Sequence, residues 1–240
     1  MLKKMLRLLY QPYKYLVFVP LFFLNYFFFA GLFLILVLIN PRLTRIVIGF
    51  SWSRINSILT PMCVSVTGRR NIEKGRSYVV ISNHQSHYDI FVLHGWLFID
   101  IIWVMKQELR KVPLFGMVCA GTEQIFIDRS NREAALQSLE NARGRLTDGT
   151  SVIFFAEGTR SKTGEMGEFK KGAFRMAMDL GLPILPVTIS GTEKILPAGT
   201  FNLFPGRARL AIHPPIEVTP YGENIDRLMG DVRNVIAGDR

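Results

Sequence analysis

Apolar positions along the 240-residue chain run almost unbroken at first, then fall into two alternating periods. Residues 15–40 carry no charge and consist mostly of Leu, Phe, Val and Ile. This stretch is too long and too aromatic for a signal-peptide core, and no A-x-A cleavage pattern follows it. It is long enough for one membrane span. Pro20, Asn25, Gly31 and the Asn40-Pro41 pair interrupt it, and two full spans do not fit. Two arrangements remain, a shallow helical hairpin embedded in one leaflet or a single span. In residues 42–60, Ile46, Val47, Phe50, Ile55, Ile58 and Leu59 alternate with Arg42, Arg45 and Arg54. That is the pattern of an interfacial amphipathic helix, and a core helix of the following domain is the alternative. Residues 1–60 are therefore assigned to a basic, apolar, helical membrane anchor and 61–240 to a globular domain.

From Val64 onward the pattern changes. Short β-branched and aromatic runs at 64–66, 78–82, 101–105, 123–127, 151–155, 184–189 and 207–212 predict strands. Between them, helical periodicity covers 86–97, 107–119 with an interruption at Pro113, 132–146, 170–180 and 223–237. Asn131 stands where an N-cap belongs and Gly181 where a C-cap does. Such alternation predicts an α/β fold with a mainly parallel central sheet flanked by helices, preceded by the helical anchor.

The net charge of +10 gains meaning only when located. Residues 1–72 hold nine cations (Lys3, Lys4, Arg7, Lys14, Arg42, Arg45, Arg54, Arg69 and Arg70) and no acid. The rest of the chain is close to neutral, with 20 cations against 19 acids. Confined to the apolar third, the excess fits attraction to an anionic bilayer surface rather than to nucleic acid. Cations at both ends of the uncharged stretch place both flanks on the cytoplasmic side. The expected location is the cytoplasmic (inner) membrane, at its cytoplasmic face. Cys63 and Cys119 have neither CxxC nor metal spacing, so free thiols in a reducing compartment are expected.

Candidate chemistry gathers where predicted strands end. After the strand at 78–82 comes Ser82-Asn83-His84-Gln85-Ser86-His87-Tyr88-Asp89. Ser86 reads as an N-cap with Asp89 at capping-box spacing. If the chain turns between His84 and Asp89, the carboxylate reaches one imidazole nitrogen and leaves the other to take a proton. Otherwise Asp89 only stabilises the helix N-terminus and His84 is a loop residue. Gly121 through Arg129 ends another strand with a cation. Phe155-Ala156-Glu157-Gly158-Thr159-Arg160-Ser161 ends a third with an acid, a glycine, a hydroxyl and a cation, and Lys170-Lys171 opens the next helix. Guanidinium and backbone N–H groups together suit a phosphate. A serine hydrolase through Ser86 lacks the G-x-S-x-G elbow. A metal site at His84, His87 and Asp89 lacks a second ligand cluster, His213 being isolated and His94 reading as a surface or helix-packing residue.

These stretches form an ordered set that resembles the glycerolipid acyltransferase family. Asn83-His84-x4-Asp89 is similar to its NHxxxxD motif, Gly121–Arg129 to its second block, and Phe155–Ser161 to its FPEGTRS block. Residues 182–187 are similar to its fourth, and Lys106-x-Glu108-Leu109 with Pro113 and Gly116 is also family-like. Ala156 departs from the usual proline and is expected to leave that turn looser. The resemblance implies transfer of a fatty acyl group from a thioester to the hydroxyl of 1-acylglycerol 3-phosphate, giving phosphatidate. Glycerol 3-phosphate and other lysophospholipids are the alternative acceptors, and a membrane-surface scaffold is the non-enzymatic alternative. It implies His84 and Asp89 as the catalytic pair. Asn83, Lys106, Arg129, Glu157, Gly158, Thr159, Arg160, Lys170 and Lys171 are implied to bind substrate, Glu157 by orienting an arginine. No metal and no bound cofactor is implied, because acyl-CoA or acyl carrier protein (acyl-ACP) serves as co-substrate. The implied partners are membrane lipids, lysophosphatidic acid and acyl carrier protein.

Overall fold

The computed structural model describes residues 2–128, 130–161 and 164–239. Seven strands make one sheet: β1 (Met62–Thr67), β2 (Val79–Ser82), β3 (Asp100–Lys106), β4 (Ile125–Ile127), β5 (Thr150–Phe155), β6 (Ile184–Ser190) and β7 (Gly206–Ile212). Their order is β1-β7-β6-β2-β5-β3-β4. Every pairing is parallel except β6 with β7. The central β2 is buried along its whole length, as strands covered on both faces are. Apolar clusters fill both faces of the sheet, one around Tyr78, Val80 and Leu185 and the other around Val79, Ile81 and Phe174. All seven predicted strands are present. Because β2, β5, β3 and β4 are mutually parallel, the ends that carry the motifs share one edge.

The N-terminal helices differ from the expectation in register and direction. Helix α1 (Leu2–Tyr13) continues through a π-helical turn (Lys14–Phe18) into α2 (Val19–Leu36), so neither Asn25 nor Gly31 breaks the helix. Pro20 directly follows the π-helical turn, and such a turn shifts the hydrogen-bond register inside a continuing helix. The break falls at Asn40-Pro41. There Asn40 Oδ1 accepts the Leu43 N–H at 2.9 Å and caps α3 (Pro41–Leu59), which packs back along α2. Residues 8–36 are long and apolar enough to cross a membrane, and few of them are buried.

In α3 the polar stripe faces inward. Thr44, Arg45, Ser53, Asn56 and Ser57 are buried, while Leu43, Ile46, Val47, Phe50 and Ile58 are exposed. The expectation that the N-terminal cations face lipid is corrected at two positions. Arg45 grips Asp100 Oδ1 and Oδ2, each at 2.8 Å, and Lys14 is buried. A charge with a fixed partner of this kind is held inside the protein.

Four further helices surround the sheet: α4 (Tyr88–Trp96), α5 (Phe115–Gly121), α6 (Arg132–Ala142) and α7 (Gly172–Leu180). A short α8 (Thr192–Ile195), not anticipated, and α9 (Ile225–Ala237) complete the chain. The segment predicted as one helix over 107–119 is a 3₁₀ turn (Gln107–Lys111) followed by α5. Its Gly116 is required, since a Cβ there would lie 2.1 Å from the Arg110 carbonyl oxygen.

Candidate active site

The turn after β2 is held from three sides. Asn83 bonds through its amide to the backbone at the C-terminal end of β6, donating to the Ile189 carbonyl and accepting its N–H, both at 2.8 Å. The His84 N–H donates to Glu157 Oε1 at 2.9 Å, and the His84 carbonyl accepts the Ser161 N–H at 2.9 Å. The loop after β5 thus fixes both backbone groups of His84. Glu157 Oε2 also accepts the Gly167 N–H at 2.8 Å. Through these contacts Asn83 and Glu157 organise the loop, and the described Glu157 contacts go to backbone N–H groups where an arginine was expected. Neither lines the cavity described below.

Asp89 is fully buried and serves both readings offered for it. Its Oδ2 accepts His84 Nδ1–H at 2.7 Å and the N–H groups of Gln85 and Ser86 at 2.7 and 2.9 Å. Its Oδ1 accepts the Thr192 hydroxyl at 2.5 Å. The carboxylate therefore caps the first turn and orients the imidazole at the same time. With Nδ1 occupied as a donor, Nε2 is the free, basic nitrogen. The His84 ring stacks on Phe155, with centroids 3.7 Å apart and planes 7° apart, and Phe155 in turn contacts Trp103.

His84 opens onto a cavity of about 1080 Å³. Its lining carries the cations Lys106, Arg160, Lys170, Lys171 and Arg175, with Gly158 and Thr159. From α2, α3 and α5 it takes the apolar Tyr26, Phe29, Ile48, Trp52 and Val118, together with Arg45. Two of the predicted cations are partly engaged at the surface. Lys106 Nζ lies 2.6 Å from Glu108 and Lys171 Nζ 2.7 Å from Asp226. Arg129 lies outside the described residues. Gly158 takes φ +72°, and a Cβ there would press on Lys170 Cε at 3.0 Å, so glycine lets the lysine cross the turn. The Ala156 N–H donates to the Ser82 carbonyl at 3.3 Å and extends the β2–β5 ladder, a bond proline cannot make. Among the described residues no group of three His, Cys, Asp or Glu is placed to hold a metal ion.

Several groups of the site had no clear signal in the sequence. Thr192 is 103 residues from Asp89, although the end of β6 marks its place on the shared edge. Arg175 lies one helical turn beyond Lys171, and that spacing is its only signal. His94, expected on a surface or in helix packing, faces the cavity. Its Nε2 accepts the Trp103 indole N–H. Burial, reinforced by the Arg45 charge, pushes its pKa down to about 4. An unfolded imidazole titrates near 6.5, so between these values only the unfolded chain takes up the proton. Stability is then full above about pH 6.5 and falls as pH drops toward 4, by on the order of 3 kcal/mol. Melting curves of wild type and His94→Gln across this window test it. The variant is expected to lose less stability on acidification, and parallel slopes would contradict the assignment.

The family model described as Acyltransferase matches residues 63–190. A chloroplastic 1-acyl-sn-glycerol-3-phosphate acyltransferase of Brassica napus is 37% identical over 160 residues, covering 66% of this chain and 45% of that protein. The enzyme of the same name from Pseudomonas aeruginosa is 34% identical over 181 residues, covering 75% and 65%. The crystal structure of the 1-acyl-sn-glycerophosphate acyltransferase PlsC from Thermotoga maritima superposes with a TM-score of 0.74 at 29% identity, covering 90% of this chain and 92% of that one. The chain spans about half the length of the plant relatives it matches.

Proposed function

The chain belongs to the acyltransferase family, and from that premise we propose that it acylates the sn-2 hydroxyl of 1-acylglycerol 3-phosphate to give phosphatidate. The observation that carries the reading is the His84 Nδ1 to Asp89 Oδ2 contact of 2.7 Å at a cavity lined by both cations and apolar side chains. Nε2 of His84 takes the proton of the acceptor hydroxyl as its oxygen attacks the thioester carbonyl. The C–S bond breaks, and the leaving thiolate receives the proton back from the imidazolium. Asp89 holds Nδ1–H throughout and stabilises the transient positive ring. The donor is an acyl thioester, already activated, so no covalent acyl-enzyme is required.

Arg160 and Lys170, beside the Gly158-Thr159 turn, hold the acceptor phosphate, and Arg129 and Lys106 assist. Arg suits this task because its fork matches two phosphate oxygens. The acyl chains lie in the apolar part of the cavity. The outward apolar faces of α2 and α3 rest in the cytoplasmic leaflet, where both acceptor and product reside, and the basic flanks meet anionic headgroups.

Arg160→Gln tests the acceptor assignment. The KM for 1-acylglycerol 3-phosphate is expected to rise about tenfold or more, the weight of one charge-assisted bidentate contact. A zwitterionic lysolipid is expected to be used no worse than by wild type. An unchanged KM for the phosphorylated acceptor would remove Arg160 from the phosphate site.

A further inference from the structure

The N-terminal helices carry the long apolar stretch of the chain. A second apolar element stands beside them, far away in sequence. Between α8 and β7 the chain forms a tight loop whose turns are closed by Thr200 N–H to the Pro197 carbonyl at 3.2 Å and Leu203 N–H to the Phe201 carbonyl at 2.9 Å. Leu203 is buried beneath the loop, whereas Phe201 at its apex is 91% exposed. No other large apolar side chain among the described residues is so exposed, the next being Leu38 at 86%. A single exposed apolar residue is ordinary. What surrounds this one is not.

Lys14 Nζ donates to the Phe201 carbonyl at 2.7 Å and lies 3.3 Å from the Tyr15 hydroxyl. This lysine is buried and opens the π-helical turn between α1 and α2. Such a turn shifts the helical register locally and often marks a functional position. Nearby, the Phe204 ring lies 6.4 Å from that of Tyr10. The loop is thus fastened to the helix at two points, with its apex at Lys14, next in sequence to the exposed Tyr15 and Leu16, and Leu8 and Leu9 lie about two turns before them. Exposed apolar side chains from two distant parts of the chain are thus brought to the same side of the helix–loop junction. Its cations have no acidic counterpart before Glu73.

We propose that the loop over residues 197–204, with Phe201 at its apex and Lys14 as its tether, is a second lipid-contact element that inserts into the headgroup region of an anionic bilayer. Its flanking Thr200 and Asn202 suit that depth, where polar and aromatic groups coexist. Two contacts far apart in sequence fix how the domain leans on the membrane, and so where the cavity opens toward lipid. The inference rests on the membrane reading of the helices, and the test separates the two.

In full-length Cys63→Ser protein, single cysteines at Phe201, Leu16 and Glu140 are labelled in turn with an environment-sensitive fluorophore. Cys119 is buried and its thiol pKa is pushed up to about 12, which keeps it unlabelled. Glu140 sits on α6, which packs on the other face of the sheet. Vesicles are phosphatidylglycerol and phosphatidylcholine in equal parts, with or without brominated acyl chains. The labels at 16 and 201 are expected to shift to the blue and be quenched by bromine, and the label at 140 to do neither. Phe201→Asp is expected to weaken vesicle binding about tenfold, by removing one inserted aromatic group. A silent label at 201 beside a responding one at 16 would overturn the loop proposal and leave the helical anchor standing. Silence at both would overturn both.

Discussion

Replacing His84 with alanine is expected to lower acyl transfer by roughly a thousandfold, the usual weight of a positioned general base. The melting temperature is expected to change little. His84 contributes one of the four donors around Asp89, and the other three remain in place. Removing it therefore costs about 1 kcal/mol. Asp89→Asn is the informative companion. Its amide must turn an NH₂ group toward at least one of four donors, so the His84 tautomer and the first turn of α4 are disturbed together. Activity is expected to fall by about 10²–10⁴, with a loss of stability that His84→Ala does not show. Initial rates and melting curves on both variants check this. An Asp89→Asn protein as active as wild type would remove the dyad from the mechanism.

The second large effect is on stability. Arg45→Ala is expected to destabilise the protein by about 3–5 kcal/mol, because it leaves Asp100 buried with less compensation. For a chain of this size that lowers the melting point by on the order of 10 °C. Arg42 Nε at 3.0 Å and the Thr150 hydroxyl at 2.8 Å still reach Asp100, and they set the lower end of the range. Arg45 also donates to the Thr122 carbonyl at 3.0 Å, so it ties α3 both to the start of β3 and to the turn before β4. Arg45→Lys cannot reproduce the bidentate grip and is expected to recover only part of the loss. An apolar pair, Arg45→Met with Asp100→Leu, is expected to melt nearer to wild type than Arg45→Ala. A drop below about 1 kcal/mol for Arg45→Ala would mean that Asp100 is well solvated without its partner.

The architecture was readable because each strand is short, β-branched and closed by polar residues, and because strands and helices alternate. Parallel pairing then follows, and it brings His84, Arg160 and the β4 end to one edge without any knowledge of side-chain contacts. The two readings of Asp89 were posed as exclusive, and the carboxylate has enough lone pairs to satisfy both. Less legible were contacts between distant segments. Arg45 looked like a lipid-facing cation because its partner, Asp100, lies 55 residues away. Glu157 carries an acid beside an arginine, yet its oxygens go to backbone N–H groups that only the fold brings near. Similarly, Pro20, Asn25 and Gly31 suggested breaks in a helix that runs through all three. Pro20 follows directly on a π-helical turn, where the hydrogen-bond register shifts.

Acyl transfer by the purified, detergent-solubilised protein is the decisive measurement. It would be given a long-chain acyl-CoA or acyl-ACP, with 1-acylglycerol 3-phosphate, glycerol 3-phosphate or a zwitterionic lysolipid as acceptor. Phosphatidate formed from 1-acylglycerol 3-phosphate, and lost in His84→Ala, is the predicted result. Absence of transfer to every acceptor from either donor would contradict it.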